Sequence, residues 1–412
     1  MRYVVCDRVG LSRPPEGPLA PYIVLFAHSL ESQGYGVQSL RHQLRIVAGF
    51  SRWLAQTGVE LHRVCSEHAS QYLRYRARRV RACRGDSAAL QHLLGFLRDS
   101  GVVPAQRPTT RRSTAAELYA QVYRQYLREV RGLAESTIAY YSTFATDFLQ
   151  DRFGDGRANL SRLRASDVIG YVQRKAQRLN LRRAKLLTTA LRSFLRYARY
   201  RGDMVRDLAD VVPVVANWSM PSIPRAIAPD QIRQLLSSID RQTGMGLRDY
   251  AILLLLARLG LRSGEVVSLE LADIDWSSAR LTVRGKCGQR NELPLHADVG
   301  KAIAAYLRHG RPHSACRRVF LRTKAPITGF RGACGVCSVV RHALLRAGID
   351  APTTGAHQFR HGLAADMLRH GASLNEIGEI LGHRNPQTTM IYTKVDIKAL
   401  RALAVPWPGG AQ

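Results

Sequence analysis

Apolar residues recur every three or four positions through most of the chain, a helical period, and they alternate with a period of two at one place. Four helical patterns follow one another from Ala115 to Val130, Ser136 to Phe153, Ala165 to Leu179 and Arg182 to Arg201. Upstream, SLRHQLRIVAGFSRWLAQTG, CSEHASQYLRYRARR and GDSAALQHLLGFLRDSGVV repeat that order at an offset of 97 to 99 residues, aligning Ser39 with Ser136, Tyr72 with Tyr171 and Ala77 with Ala176. Self-similarity at a fixed period predicts a diverged duplicate of one helical fold. Further on, Pro229 at a first helical position opens IAPDQIRQLLSSID. The longest apolar run, Tyr250 to Ala257, is too short to span a bilayer and predicts a buried helix. Strand-like alternation is confined to Arg280–Arg284 and Asn291–Leu295, separated by a glycine-containing turn, which predicts a β-hairpin.

Near the C-terminus the periodic segments are short and heavily punctuated. His357, Arg360 and His361, spaced i, i+3, i+4, share one face of a helix predicted to end near Gly371. Ser373 and Glu376 form a capping box for a second helix, with Ile377, Ile380 and Leu381 as its buried stripe and Gly382 as its stop. His383 follows at a chain reversal. Asn385 as cap and Pro386 at the first position then predict a third helix carrying Thr388 to Tyr392 back toward the His and Arg face.

Breaks in periodicity divide the chain into three predicted units. The Pro-, Thr- and Arg-rich run VVPAQRPTTRRST (Val102 to Thr114), and VVPVVANWSMPSIPRA with Pro213, Pro221 and Pro224, read as linkers between units 1–103, 111–212 and 222–412. Charge adds a partner. The net charge is +30 with most basic residues Arg, and Arg157 to Arg206 alone holds 14 Lys or Arg against 2 Asp, among Tyr171, Phe194, Tyr197 and Tyr200. Such an excess predicts a DNA backbone face, with Arg174, Lys175, Arg178, Arg182, Arg183 and Lys185 as contacts. No metal site is predicted: Cys334-x-x-Cys337 lacks a second pair, and His357 with His361 lacks the expected glutamate and has Arg360 between. Scattered cysteines and the absence of an export or membrane segment predict a cytoplasmic, nucleoid-associated protein.

In order along the chain stand GLRSGE with Arg262, HQFRH with His357 and Arg360, LGH with His383, and IYTKV with Tyr392. These four boxes, spread over about residues 222 to 412, resemble the tyrosine recombinase family, the phage-integrase or Xer-like recombinases. The resemblance implies a mainly α protein with a small antiparallel β-sheet in its catalytic domain (α+β), arranged as a multi-domain clamp around double-stranded DNA. Residues 111–212 then correspond to the family's helical, SAM-like core-binding domain; 1–103, by its repeat of that unit and not by the resemblance, is expected to be a second DNA-binding domain or an oligomerisation domain. Also implied is a homotetramer on two DNA sites; companion recombinases in the same synapse are left open, and no cofactor is expected.

The chemistry accounts for the residue types. A phosphodiester repels nucleophiles, so two guanidiniums, Arg262 and Arg360, would clamp its oxygens and stabilise the added charge of the transition state. A tyrosine hydroxyl titrates near 10 and needs a base or a cationic pocket to attack, and His357 is the expected proton acceptor for Tyr392. The leaving hydroxyl needs an acid, a contribution of roughly 10²–10⁴-fold. Lys286 is the candidate, at the hairpin turn where the family carries Gly-Lys-Gly-x-Lys; here Cys287 and Gln289 replace the second glycine and the second lysine. By resemblance, His383 bonds the same phosphate and attack leaves a 3′-phosphotyrosyl bond, so resealing needs no ATP. Glu265 would orient Arg262, His361 would support the site or pack a helix, and Arg284 and Arg290 would contact backbone phosphates.

The expected function is thus site-specific recombination, of a mobile element given the additional unit 1–103. Two alternatives stand beside it: a type IB topoisomerase-like relaxation enzyme, and a catalytically silent DNA-binding accessory factor. The tail VDIKALRALAVPWPGG is expected to couple neighbouring protomers. Truncation after Val395 should therefore impair synapsis in a two-site recombination assay; an unimpaired truncation would remove that role.

Overall fold

The computed structural model describes residues 3–6, 9–104, 114–215, 225–285, 290–351, 353–383 and 385–395. Lys286, the linker residues 105–113 and 216–224, and the tail 396–412 lie outside the described residues. The chain forms two compact units, one of residues 1–106 with 222–412 and one of 107–221. It is mostly helical, with a small antiparallel sheet.

The first stretch opens with a hairpin of β1 (Tyr3–Cys6) and β2 (Val9–Leu11), followed by α1 (Ala20–Ser32), α2 (Val37–Thr57), α3 (Ser66–Ala77) and α4 (Arg84–Asp99). Neither the hairpin nor α1 is foreseen by the sequence reading. The hairpin is short, and the apolar residues of α1 run almost continuously as IVLF, which blurs its period. Their core centres on Phe26, Leu44, Phe50 and Leu93, all buried. The glycine between α1 and α2 meets the other half of this compact unit. Gly34 has φ +81°, an added Cβ there would lie 2.4 Å from Ile327, and the Gln33 carbonyl accepts from the Ile327 N–H at 2.8 Å.

Residues 114–215 form α5 (Ala115–Glu129), α6 (Glu135–Phe153), α7 (Ala165–Ala176) and α8 (Leu181–Tyr200), close to the predicted bounds. Thr114 caps α5 in a capping box with Glu117, and Asn180 caps α8. Tyr171, Phe194 and Tyr197, read from the sequence as part of a DNA face, are instead the centre of this bundle's core, and of the four aromatics only Tyr200 is exposed. Their spacing is that of a buried helix stripe, so the basic face here is carried by side chains around them.

The third stretch is built around α10 (Gly244–Leu259). From Ala251 to Ala257 every side chain is buried, so this helix is apolar all round and must lie inside the domain. Around it stand α9 (Pro229–Ser237), α11 (Ser263–Ser268), α12 (Ala297–Ala305), α13 (Cys334–Ala347) and α14 (His357–Arg369). A three-stranded antiparallel sheet, β3 (Ile274–Asp275), β4 (Arg280–Arg284) and β5 (Arg290–Pro294), adds Leu281 and Val283 to the same core. The register pairs Arg280 with Pro294 and Arg284 with Arg290, and Val283 of β4 with Arg290 to Leu293 of β5 lines the cavity described below.

After α14 come α15 (Leu374–Ile380) and two 3₁₀ turns, Pro386–Thr388 and Met390–Val395. The Ser373/Glu376 capping box is present, and Ile377 and Leu381 are buried, but Ile380 is exposed, because only two apolar positions of this short helix fit its neighbours. Thr388 to Tyr392 lie in 3₁₀ turns where an α-helix was expected; Asn385 does cap the first turn, through Gln387 N–H. None of the described helices is long and apolar enough to cross a membrane.

The position of α10 gives a stability prediction. Leu255→Ala removes a wholly buried side chain and should cost roughly 2–5 kcal/mol. Leu345→Ala, at an exposed position of α13, should change stability by less than about 0.5 kcal/mol. Urea unfolding followed by circular dichroism checks both.

Candidate active site

The site is assembled from helix ends. Gly260, at φ +58°, terminates α10 and turns the chain so that Leu261 enters the core and Arg262 becomes the N-cap of α11. Glu265, buried in the first turn of α11, accepts from the Arg262 backbone N–H and from Nη1, each at 2.7 Å. One carboxylate thus caps the helix and holds the guanidinium. Arg262 Nη2 reaches the Gly382 carbonyl at 3.4 Å, and about a third of the side chain stays exposed.

Arg360 on α14 is buried, at 3% exposure. Its Nη1 donates to the Gly260 carbonyl at 2.8 Å and its Nη2 to the Leu381 carbonyl, so the ends of α10 and α15 hold it in place. Burial, and then the neighbouring Arg262 cation, pull its pKa down to about 10, still protonated at neutral pH. Among the described residues no carboxylate is ion-paired with it. Arg262 and Arg360 line one cavity of about 510 Å³, together with Glu265, His383 and, on the β5 side, the exposed Arg290. Two cations around one carboxylate leave room for an anion.

His383 follows α15. Its backbone N–H donates to the Gly378 carbonyl at 2.8 Å, and its Nδ1 lies 2.8 Å from the hydroxyl of buried Thr389. Burial, then Arg360 and Arg262, push the imidazole down to about 4, so it is neutral at pH 7. Thr389 was not singled out from sequence; its only signal is a position three residues before Tyr392.

Tyr392 is 1% exposed and packs in a small separate core with Ala364, Ile377 and Leu381. Its hydroxyl lies 3.0 Å from Nδ1 of His361. Burial raises the phenol pKa, while Arg360 and Arg262 pull the other way. His361 is itself pushed down to about 4, by burial, by His357 and by Arg360, and is a neutral ring. The rings of His357 and His361 meet edge to face at 4.6 Å. His361, left open between packing and support by the sequence, is therefore a direct partner of the tyrosine hydroxyl.

The expected phosphate contacts divide. Arg284 is bonded to Glu270 at 2.9 Å and Asp273 at 3.0 Å, tying the β3–β5 sheet to the segment after α11. Two adjacent carboxylates make it a structural cation and a poor phosphate ligand, which corrects the expectation. Arg178, Arg182 and Arg183 are exposed around the α7–α8 turn; Arg174 pairs with Asp151 at 2.6 Å, Lys175 lies over the Tyr171 ring at 5.7 Å, and Lys185 is half-buried. Among the described residues no group of three or more His, Cys, Asp or Glu is placed to hold a metal ion.

Comparison with known proteins places this geometry. Residues 225–398 match the Phage integrase family. Over all 412 residues the chain is 58% identical to y4rA of Sinorhizobium fredii (strain NBRC 101917 / NGR234), an integrase/recombinase by name, with both chains covered completely. The chain belongs to the phage integrase family. Tyrosine recombinase XerD of Listeria monocytogenes (serotype 4b, strain F2365) is 29% identical over 64% of this chain and 90% of its own. The solved XerH site-specific recombinase, bound to a palindromic difH substrate, shares the fold at a TM-score of 0.57 and 17% identity, covering 82% of this chain and 94% of that one. This tyrosine recombinase is therefore an enzyme of DNA breakage and rejoining.

The two depressed imidazoles set a pH dependence. Histidine ordinarily titrates near 6.5. With folded values near 4 for His361 and His383, the unfolded chain binds more protons between pH 6.5 and 4, and stability falls as pH drops through that window. Thermal unfolding at pH 7.5 and pH 4.5 should show this loss, and a His361→Gln/His383→Gln variant should show less of it. Equal losses in both proteins would contradict the assignment.

Proposed function

We propose that this recombinase integrates, excises or transposes a mobile element, cutting DNA through a 3′-phosphotyrosyl bond to Tyr392 and exchanging strands by way of a Holliday junction. The observation that carries the reading is the Tyr392 hydroxyl, held 3.0 Å from a neutral imidazole beside a cavity lined by two guanidiniums. In the cleavage step the tyrosine oxygen forms a bond to phosphorus and the bond to the 5′ oxygen breaks. The phenolic proton passes to the His361 and His357 pair, and the departing oxygen takes a proton from Lys286, a role that rests on resemblance alone. Arg262 and Arg360 neutralise the oxygens of the pentacoordinate phosphate, and His383, fixed by Thr389, adds a bond to one of them. The phosphotyrosyl bond keeps the energy of the phosphodiester, so a 5′ hydroxyl from the second duplex reverses the step without ATP.

Exchange of all four strands requires four active tyrosines, hence four protomers on two DNA sites. The mobile-element role is supported by coverage: the XerD match takes in 64% of this chain, whereas the y4rA match takes in all of it, including residues 1–103.

Nicked duplexes tiled from the DNA flanking the gene test the chemistry, because a nick lets the free 5′ hydroxyl diffuse away and traps the adduct. Wild type should form a covalent protein–DNA species on the correct duplex, and Tyr392→Phe should form none. Arg262→Ala should lower the rate on the order of 10²–10³-fold, the scale for losing one transition-state donor. An adduct that survives in Tyr392→Phe would end the proposal.

A further inference from the structure

The two helical bundles are built to one plan. A short 3₁₀ turn joins the second and third helices of each, Leu61–Arg63 in one and Leu160–Arg162 in the other, 99 residues apart. The third helices, Ser66–Ala77 and Ala165–Ala176, are displaced by the same 99 residues. Their cores correspond residue for residue at an offset of 97 to 99: Phe26 with Tyr123, Phe50 with Phe148, Tyr72 with Tyr171, all buried. Even the central contact is repeated, Phe50 to Tyr72 at 5.3 Å between ring centres and Phe148 to Tyr171 at 5.0 Å. Four residues beyond each buried tyrosine stands a cation against it, Arg76 beside Tyr72 and Lys175 over Tyr171.

The correspondence extends to the basic corner. Arg79 falls at the place of Arg178, and the N-terminal bundle concentrates six arginines between Arg74 and Arg84 with no acidic residue among them. Arg74, Arg78, Arg79 and Arg81 are exposed, and among the described residues none of the four is in an ion pair. The helix dipole of α3 accounts for Arg74 in its last turn and favours Arg78 at its C-cap, and Arg79 lies over the Tyr75 ring at 4.6 Å, but none of these draws the exposed charges of Arg78, Arg79 and Arg81 to an anionic partner. The loop is pinned. Asp86, buried at 4% exposure, accepts from the Cys83 N–H at 3.2 Å and pairs with His42 at 3.1 Å and Arg76 at 3.6 Å, so this carboxylate is turned inward.

We propose that residues 9–103 are a second DNA-binding module, which grips the phosphate backbone of duplex DNA flanking the cleavage site with Arg78, Arg79 and Arg81 of the α3–α4 connection. The proposal rests on the recombinase reading only for the nature of the ligand. A self-complementary protein contact at this corner would set like charges against each other, whereas a duplex offers one negative charge per about 1.7 Å of its axis.

The test uses the whole chain. Arg78→Gln/Arg79→Gln/Arg81→Gln is compared with wild type and with the corresponding triple Lys variant, by salt-dependent titration on a duplex extending several helical turns past the cleavage site. The Gln variant should bind on the order of tenfold more weakly, with a log K against log [salt] slope shallower by about 2 to 3, and the Lys variant should recover both. On a nicked duplex of core length its adduct yield should match wild type. Unchanged affinity and slope on the long duplex would overturn the proposal, as would smaller assemblies in sedimentation with DNA binding intact. Failure of wild type to form any adduct would strike the recombinase reading alone, since the salt slope is measured without cleavage.

Discussion

A guanidinium buried with no ion-paired carboxylate among the described residues is the constraint around which the catalytic region is arranged. Taking the Arg360 charge out of water is costly, and the structure meets the cost with carbonyls at the ends of α10 and α15. Those carbonyls are free because helices leave their last ones unpaired. The cation therefore fixes where α10 must stop and where α15 must arrive, and with them the entry of Arg262 into α11 and of His383 into the cavity. In the proposed cleavage step, this same buried charge is what the phosphate would meet.

The same economy appears at Glu265, which caps α11 and aims Arg262 with its two oxygens. One carboxylate cannot balance two guanidiniums, and burial first, then the residual positive field, keeps His361 and His383 neutral. A neutral imidazole beside a phenol can receive its proton; a protonated one could not.

Much of this was legible in the sequence. The four boxes carry Arg262, His357, Arg360, His383 and Tyr392 because each stands in a setting of caps and stops that fixes its local geometry. The helical repeat was legible too, since buried stripes keep their spacing even when the residues change, as with Phe26 and Tyr123. What escaped is what depends on partners distant in the chain. His361 looks like any helix-facing histidine until Tyr392, 31 residues later, folds against it. Arg284 looks like a phosphate contact until Glu270 and Asp273 come round beside it, and Tyr171, Phe194 and Tyr197 look like a stacking surface until the bundle closes over them. The final turns defied prediction for a different reason: with Asn385 and Pro386 in place the local signals favour a helix start, but the chain must carry Tyr392 into a small pocket, and a tighter winding does so.

That pocket sits apart from the main core. Ala364 of α14, Ile377 of α15, Leu381 and Tyr392 form their own cluster, and Tyr392 enters it from a short 3₁₀ turn. Such a satellite can open at a free energy well below that of global unfolding. Tyr392 thus lies in a part of the domain that is cheap to rearrange, and in the proposed mechanism it could change partners without disturbing the backbone carbonyls that hold Arg360.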